Sequence, residues 1–369
     1  MADQVKERMV LEGVPKVGFY DGSDIAPEDI PFPSCLASAL RFIGEDYPWT
    51  TFVENGKTWR RNDAYIELLA ASGMAFSLRW KEGWYQDNAD MMFVANPEEV
   101  IRRAFAHAGY AFRAVEKKEG LAEEAQLFDE IRASLNEGKP VLGFGVVGPP
   151  ECGLITGYDE GGRILIGWSF FQGMPPFNRG LDFEPDGQYR KRDWLRDTWS
   201  LIVIGEKTGR ADLSARNREA LRWAVSVARM PEVFGRPTGL NAYDAWAKQV
   251  QSDACFMTDD ERVLQSRHEV HNSAVGIVAE CRWAASEFLK IVAETEVSMA
   301  PELLAAAECY RKEHDLMWQV WGAVGGNGNP KAFEAFARPE VRHGLAPIIL
   351  QARDFDAKAA DLIERALSR

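Results

Sequence analysis

The chain has 369 residues, 46% of them hydrophobic and 27% charged, which is enough apolar material for a sizeable core and enough length for two domains. A net charge of -13 excludes a general nucleic-acid or anionic-membrane surface, because both need clustered Lys and Arg to displace counterions. Five cysteines without a C-x-x-C pair suit a reducing compartment, and no run reaches the roughly 18 uninterrupted apolar residues of a membrane span. The first twelve residues mix Asp, Lys, Glu and Arg with few apolar positions and carry no signal-peptide apolar region. The expectation is a cytoplasmic protein with no nucleic-acid or membrane partner; a homo-oligomer is left open.

In chain order, the first helix is expected over 35–44, from Pro33-Ser34-Cys35-Leu36-Ala37-Ser38-Ala39-Leu40-Arg41-Phe42 onward. A second is expected over 98–108, after Pro97 and with Glu98 and Glu99 in its first turn, and a third over 122–137, closed by Gly138. Strand-like runs follow at 139–147, 153–158, 163–166 and 199–204, and Gly161-Gly162 signals a hairpin between two of them. The sheet is therefore at least partly antiparallel. After Lys207-Thr208-Gly209-Arg210 strand signals vanish, and periodic apolar segments take over at 212–229, 240–251, 259–296, 301–324 and 331–367. Breaks fall at Arg236-Pro237-Thr238-Gly239 and at residues 325–330. The fold class is α+β: an α+β domain over 1–208 followed by an all-α helical bundle over 209–369.

Cys35 stands near the start of an apolar helix, where the positive end of the helix dipole favours thiolate. The later segment Glu151-Cys152-Gly153-Leu154-Ile155-Thr156-Gly157-Tyr158-Asp159 reads as a strand ending in Gly-Tyr-Asp. Together with Ser72-Gly73-Met74-Ala75-Phe76, these segments resemble, in order and spacing, the N-terminal domain of the butirosin biosynthesis protein H family. That family is similar to the papain-like bacteriocin-leader peptidases, and its members often append a helical domain. The resemblance spans roughly residues 30–205. It implies a papain-like cysteine-peptidase-type fold with Cys35 as acyl acceptor in amide, peptide or thioester chemistry and without a cofactor. It also implies a small-molecule or peptide ligand near Ser34, Gly73, Phe76, Cys152 and Trp168.

Three positions depart from the family's pattern. Glu151 stands where the family carries its histidine, the following Asp or Asn falls near Gly167-Trp168, and the oxyanion glutamine corresponds to Asp29. An imidazolium stabilises a thiolate and later protonates the leaving group, whereas an ionised Glu151 repels the thiolate and only a protonated one can act as acid. Two functions are therefore expected: a cysteine-dependent hydrolase or acyltransferase using Cys35 and Glu151, or a catalytically degenerate protein that binds a ligand in the former cleft. In the second case Cys35 is a small buried hydrophobe.

Other patterns read as structural. Gly143-Phe144-Gly145-Val146-Val147-Gly148 spells a dinucleotide motif, but Pro149 and Pro150 follow where a helix is required. Trp80, Trp84, Phe170 and Phe171 read mainly as core, with Trp168 taken as the groove-lining exception. In the bundle, Leu303, Ala307, Tyr310, His314, Met317, Trp321 and Val324 form an apolar seam that places His314 inside, while Tyr243, Trp246, Ala247 and Val250 are core. His268 and His271 could meet His314 across the bundle. With no Glu-x-x-His pair beside them, the expectation is one buried histidine hydrogen-bonded to a neighbour, two half-exposed ones and no metal.

Overall fold

Proline at its first turn, where a missing N–H is harmless, starts the first helix of the computed structural model, which describes residues 6–88, 90, 92, 94–117, 121–326 and 329–369. The elements run β1 (Met9–Val10), α1 (Pro31–Phe42), β2 (Trp49–Glu54), β3 (Lys57–Asn62), α2 (Asp63–Ala71), α3 (Pro97–Ala108), β4 (Tyr110–Glu116), α4 (Leu121–Asn136), β5 (Val141–Phe144), β6 (Cys152–Asp159), β7 (Ile164–Trp168), β8 (Asp182–Phe183), β9 (Tyr189–Arg192), α5 (Trp194–Asp197) and β10 (Ser200–Lys207). They continue with α6 (Leu213–Arg229), β11 (Glu232–Val233), β12 (Arg236–Pro237), α7 (Leu240–Gln251), α8 (Glu261–Thr295), α9 (Ala300–Ala323), α10 (Ala332–Ala337) and α11 (Pro339–Leu367). An antiparallel sheet region with helices precedes an all-helical region, α8–α11, so the chain is α+β. No described helix is long and apolar enough to cross a membrane.

The chain packs as two compact units, one comprising the residues up to Leu68 with Ala108–Arg210, the other Leu69–His107 with Ala211–Arg369. Where the sequence reading divides the chain once, near 208, its contacts divide it after 68, 107 and 210. Of the break expected at 325–330, residues 327 and 328 lie outside the described residues.

The first unit is built on an eight-stranded sheet in the order β4-β10-β5-β6-β7-β9-β8, with β1 also paired to β6, and its strand pairs are antiparallel. The β6–β7 connection turns at Gly161 and Gly162, both at positive φ (63° and 100°), which glycine adopts without steric cost. Burial explains the β5, β6 and β7 sequences. Seven of the eight β6 residues and all of β5 and β7 are buried, so these strands read as continuous apolar runs instead of alternating. Arg190 of β9 pairs with Asp159 at 2.7 Å and also with Glu184, and each residue of the Arg190-Lys191-Arg192 run is ion-paired.

In the second unit, α8, α9, α11 and α7 pack around an apolar core that includes Trp80, Tyr243, Trp246, Ala247, Val250, Val275, Val278, Met317 and Val320. Each fully buried Val, Leu or Phe side chain in such a core contributes about 1.5–3 kcal/mol. Of the expected α9 seam, Leu303, Ala307, Tyr310, Met317 and Val324 are buried, whereas His314 and Trp321 are only half-buried and Glu313, fully buried, is the polar residue that turns inward. The reason is that Arg282 of α8, also fully buried, needs acceptors for its N–H groups: it donates to Glu313 at 3.1 Å and to Asp356 of α11 at 2.7 Å. Arg282 further donates to Tyr243 Oη and to the carbonyls of Ala75 and Ser77.

Candidate functional site

Helix α1 lies on β6, and Cys35, on its fifth residue, turns toward the start of that strand. Its thiol donates to the Cys152 carbonyl with Sγ 3.6 Å from the oxygen, and its exposure is 0%. Cys152 is also buried, and burial pushes its thiol well up, reinforced by the neighbouring Cys35 and by the Glu151 carboxylate. Tyr189 of β9 completes the cluster. It donates to the Leu154 carbonyl at 3.3 Å, and its phenol is pushed up by burial and then by the two thiols. The three groups form a buried cluster at the sheet–helix interface.

Glu151 is half-buried in the turn before β6, where its N–H donates to Pro149 O (2.6 Å) and its carbonyl accepts from Gly145 (3.1 Å). The position near which the family's third catalytic residue falls can hold no side chain. A Cβ on Gly167 would lie 1.9 Å from the Leu154 carbonyl oxygen and 2.9 Å from Tyr189 Oη. The five histidines, at 107, 268, 271, 314 and 343, all belong to the second unit. The unit that carries Cys35 therefore has no imidazole of its own. Trp168, taken as groove-lining, is 5% exposed with its indole N–H buried.

The adjacent face of α1 borders a recess, although Ser34 and Ser38 on it are themselves buried and only Arg41 is half-buried. Ser34, Ser38 and Arg41 recur at i, i+4 and i+7, a single helical stripe about 100° round from Cys35. They border a concavity of about 330 Å³ whose walls include Tyr20, Glu28, Trp49 and Asn62. Arg41 lies over the Trp49 ring, 4.9 Å from its centroid, and donates to Asn62 Oδ1 at 3.1 Å; Asn62 in turn donates to Glu28. Burial pushes the Glu28 carboxyl up to about 7, against the opposing pulls of Asn62 and Arg41. This carboxyl changes charge near neutrality. Asp29, which the sequence resemblance sets against the family's oxyanion glutamine, accepts from the Tyr20 N–H at 2.7 Å and is also pushed up by burial.

Gly73 and Phe76 lie in the second unit. Gly73 has φ +92°, and a Cβ there would meet the Trp223 indole nitrogen at 2.3 Å; Phe76 packs on Phe288 and Tyr310 in the core. The histidines are not brought together. His314 Nδ1 donates to Ala279 O at 2.7 Å while Nε2 accepts from Trp318, and His271 accepts from Trp246 at 3.2 Å and stacks on Phe336. Among the described residues no group of three His, Cys, Asp or Glu is arranged to hold a metal ion. Sequence reasoning missed the concavity on the Ser34 stripe, although the signal existed in the spacing of Ser34, Ser38 and Arg41 on an otherwise apolar helix.

Comparison with known proteins finds no matching family model and no matching curated protein.

Proposed function

We propose that this chain is a catalytically degenerate papain-like protein that binds a small molecule or peptide in the concavity beside α1, and that Cys35 is a structural thiol. The observation that carries the reading is the separation of thiol from opening. Cys35 is wholly buried and its thiol is hydrogen-bonded to the Cys152 carbonyl, while the neighbouring Ser34–Ser38–Arg41 stripe borders the concavity. A nucleophile needs a path for its substrate and an acid–base partner within hydrogen-bond reach. Among the described residues of its unit, Cys35 has neither. A binding site needs convergent polar groups on an aromatic-lined recess, which Glu28, Asn62, Ser34, Trp49 and Tyr20 supply. The ligand that suits them brings a hydrogen-bond donor to the Glu28 carboxyl and an apolar face to Trp49.

The test combines turnover and binding in the full-length protein. A panel of amino acids, dipeptides and primary amines is screened by thermal shift, alongside hydrolysis of a small thioester. The expected result is a hit that stabilises wild type and Cys35→Ala alike and is lost in Glu28→Leu and Trp49→Ala, with no thioester turnover that depends on Cys35. Turnover abolished by Cys35→Ala would restore the hydrolase or acyltransferase reading.

A further inference from the structure

The second unit contains a larger cavity, of about 640 Å³, between the loop at 82–84, the end of α7 and the first two turns of α8. Its charged wall residues are Lys248, Arg262, Arg267 and Glu82, and the one carboxylate is already paired with Lys248 at 2.7 Å. Arg262 and Arg267 have no ion-pair partner among the described residues. Positive charge is therefore concentrated here, in a chain whose net charge is -13.

The neutral polar groups of the wall point to the same ligand chemistry. Gln249 is only 3% exposed, and its Oε1 accepts from the Trp80 indole N–H at 2.7 Å, which fixes the orientation of the amide. Its NH₂ group, on a side chain that lines the cavity, is left without a partner among the described residues. Trp84 Nε1 and Arg267 Nη1 are buried donors without an acceptor. Buried donors ordinarily find acceptors, and leaving one unsatisfied costs about 1–3 kcal/mol. The N-terminus of α8 is already capped, the Asp260 carboxylate accepting from the Arg262 N–H at 3.0 Å, so the positive charge of the site is that of the guanidinium groups. Donors and cations converge while the only acidic side chain is neutralised, and the Trp84 ring and Val263 provide an apolar surface.

We propose that this cavity binds a small organic anion, its carboxylate or phosphate held by Arg262 and Arg267 and accepting from Gln249 and Trp84, its apolar part against the Trp84 ring. This site is independent of the concavity beside α1, and the two proposals stand or fall separately.

The test is calorimetric titration of the full-length protein with phenyl phosphate, benzoate and benzylamine. The expected result is binding of the anions and not of the amine, weakening with added salt and falling at least about tenfold in Arg262→Gln/Arg267→Gln at unchanged melting temperature. Tighter binding of phenyl phosphate assigns the natural ligand to the phosphate esters, and tighter binding of benzoate assigns it to the carboxylates. Should the double variant not fold, Ser252→Trp fills the cavity from its rim and is expected to abolish binding. The proposal is overturned if neither anion binds at concentrations of about 10 mM, if benzylamine binds as well as the anions, or if binding survives both variants.

Discussion

Stability of the second unit is expected to be flat between about pH 4.5 and 6.5 and to fall on the alkaline side, because two buried groups titrate with opposite sign. Burial pushes Glu313 up from 4.5 to about 8, aided by the Asp356 charge and opposed by Arg282; burial holds His271 down from 6.5 to about 3. The folded state therefore keeps a proton on Glu313 that the unfolded chain has lost, so stability declines as pH rises from 4.5 to 8. It also refuses a proton on His271 that the unfolded chain takes up, so stability declines as pH falls from 6.5 to 3. Each contributes about 1.4 kcal/mol per pH unit, and the slopes cancel where the windows overlap. Between pH 6.5 and 8 only Glu313 acts, and about 2 kcal/mol is lost. With a urea m-value of about 2–3 kcal/mol/M, the midpoint drops by about 0.7–1 M. Circular dichroism at 222 nm, reporting the long helices, measures it. Glu313→Gln, which mimics the protonated acid, should remove the alkaline fall while leaving the acid limb. An alkaline fall of equal size in Glu313→Gln would refute the reasoning.

Arg282→Met should be far more damaging than its charge balance suggests. It strands Glu313, Asp356 and the Ala75 carbonyl in a fully buried site, a loss of about 3–5 kcal/mol, readable as a urea midpoint lower by about 1–2.5 M; a midpoint within about 0.3 M of wild type would contradict it. Gly167→Ala places a methyl against the Leu154 carbonyl oxygen and should part β6 from β7, giving insoluble protein or a melting temperature lower by at least about 5 °C. An unchanged melting curve would show that the bulge between Ile155 and Gly157 relaxes freely.

Much of the element map follows from local chemistry that a sequence displays. Asp212 caps α6 by accepting from Ala215, Pro339 opens α11, and the helices over 213–229, 240–251 and 261–295 lie within one or two residues of their apolar periodicity. The β2–β3 hairpin was equally legible, since Asn55-Gly56 supplies the two positive φ angles its turn requires, yet it was absent from the expected elements. Other features depend on partners distant in sequence. Nothing within 69–107 signals that it packs with 211–369, and the inward turn of Glu313 is intelligible only once Arg282 is known to be buried opposite it. The same holds for both cavities, each assembled from segments whose residue types look ordinary alone. Cys35 illustrates the limit most clearly: its place on an apolar helix is local, but the helix begins four residues earlier, at Pro31, and exposure is decided by β6 and its neighbours.

Access to Cys35 is the most direct test of the account. With 0% exposure and a bond to the Cys152 carbonyl, its alkylation must wait for the α1–β6 interface to open. Iodoacetamide labelling of the native protein from pH 6 to 8, with the five cysteines resolved by peptide mapping, should find Cys35 among the slowest, and Glu151→Gln should not accelerate it. Urea should expose it. Rapid labelling of Cys35 at pH 6 in the native protein, ahead of half-buried Cys255, would contradict the account and establish an open, activated thiol.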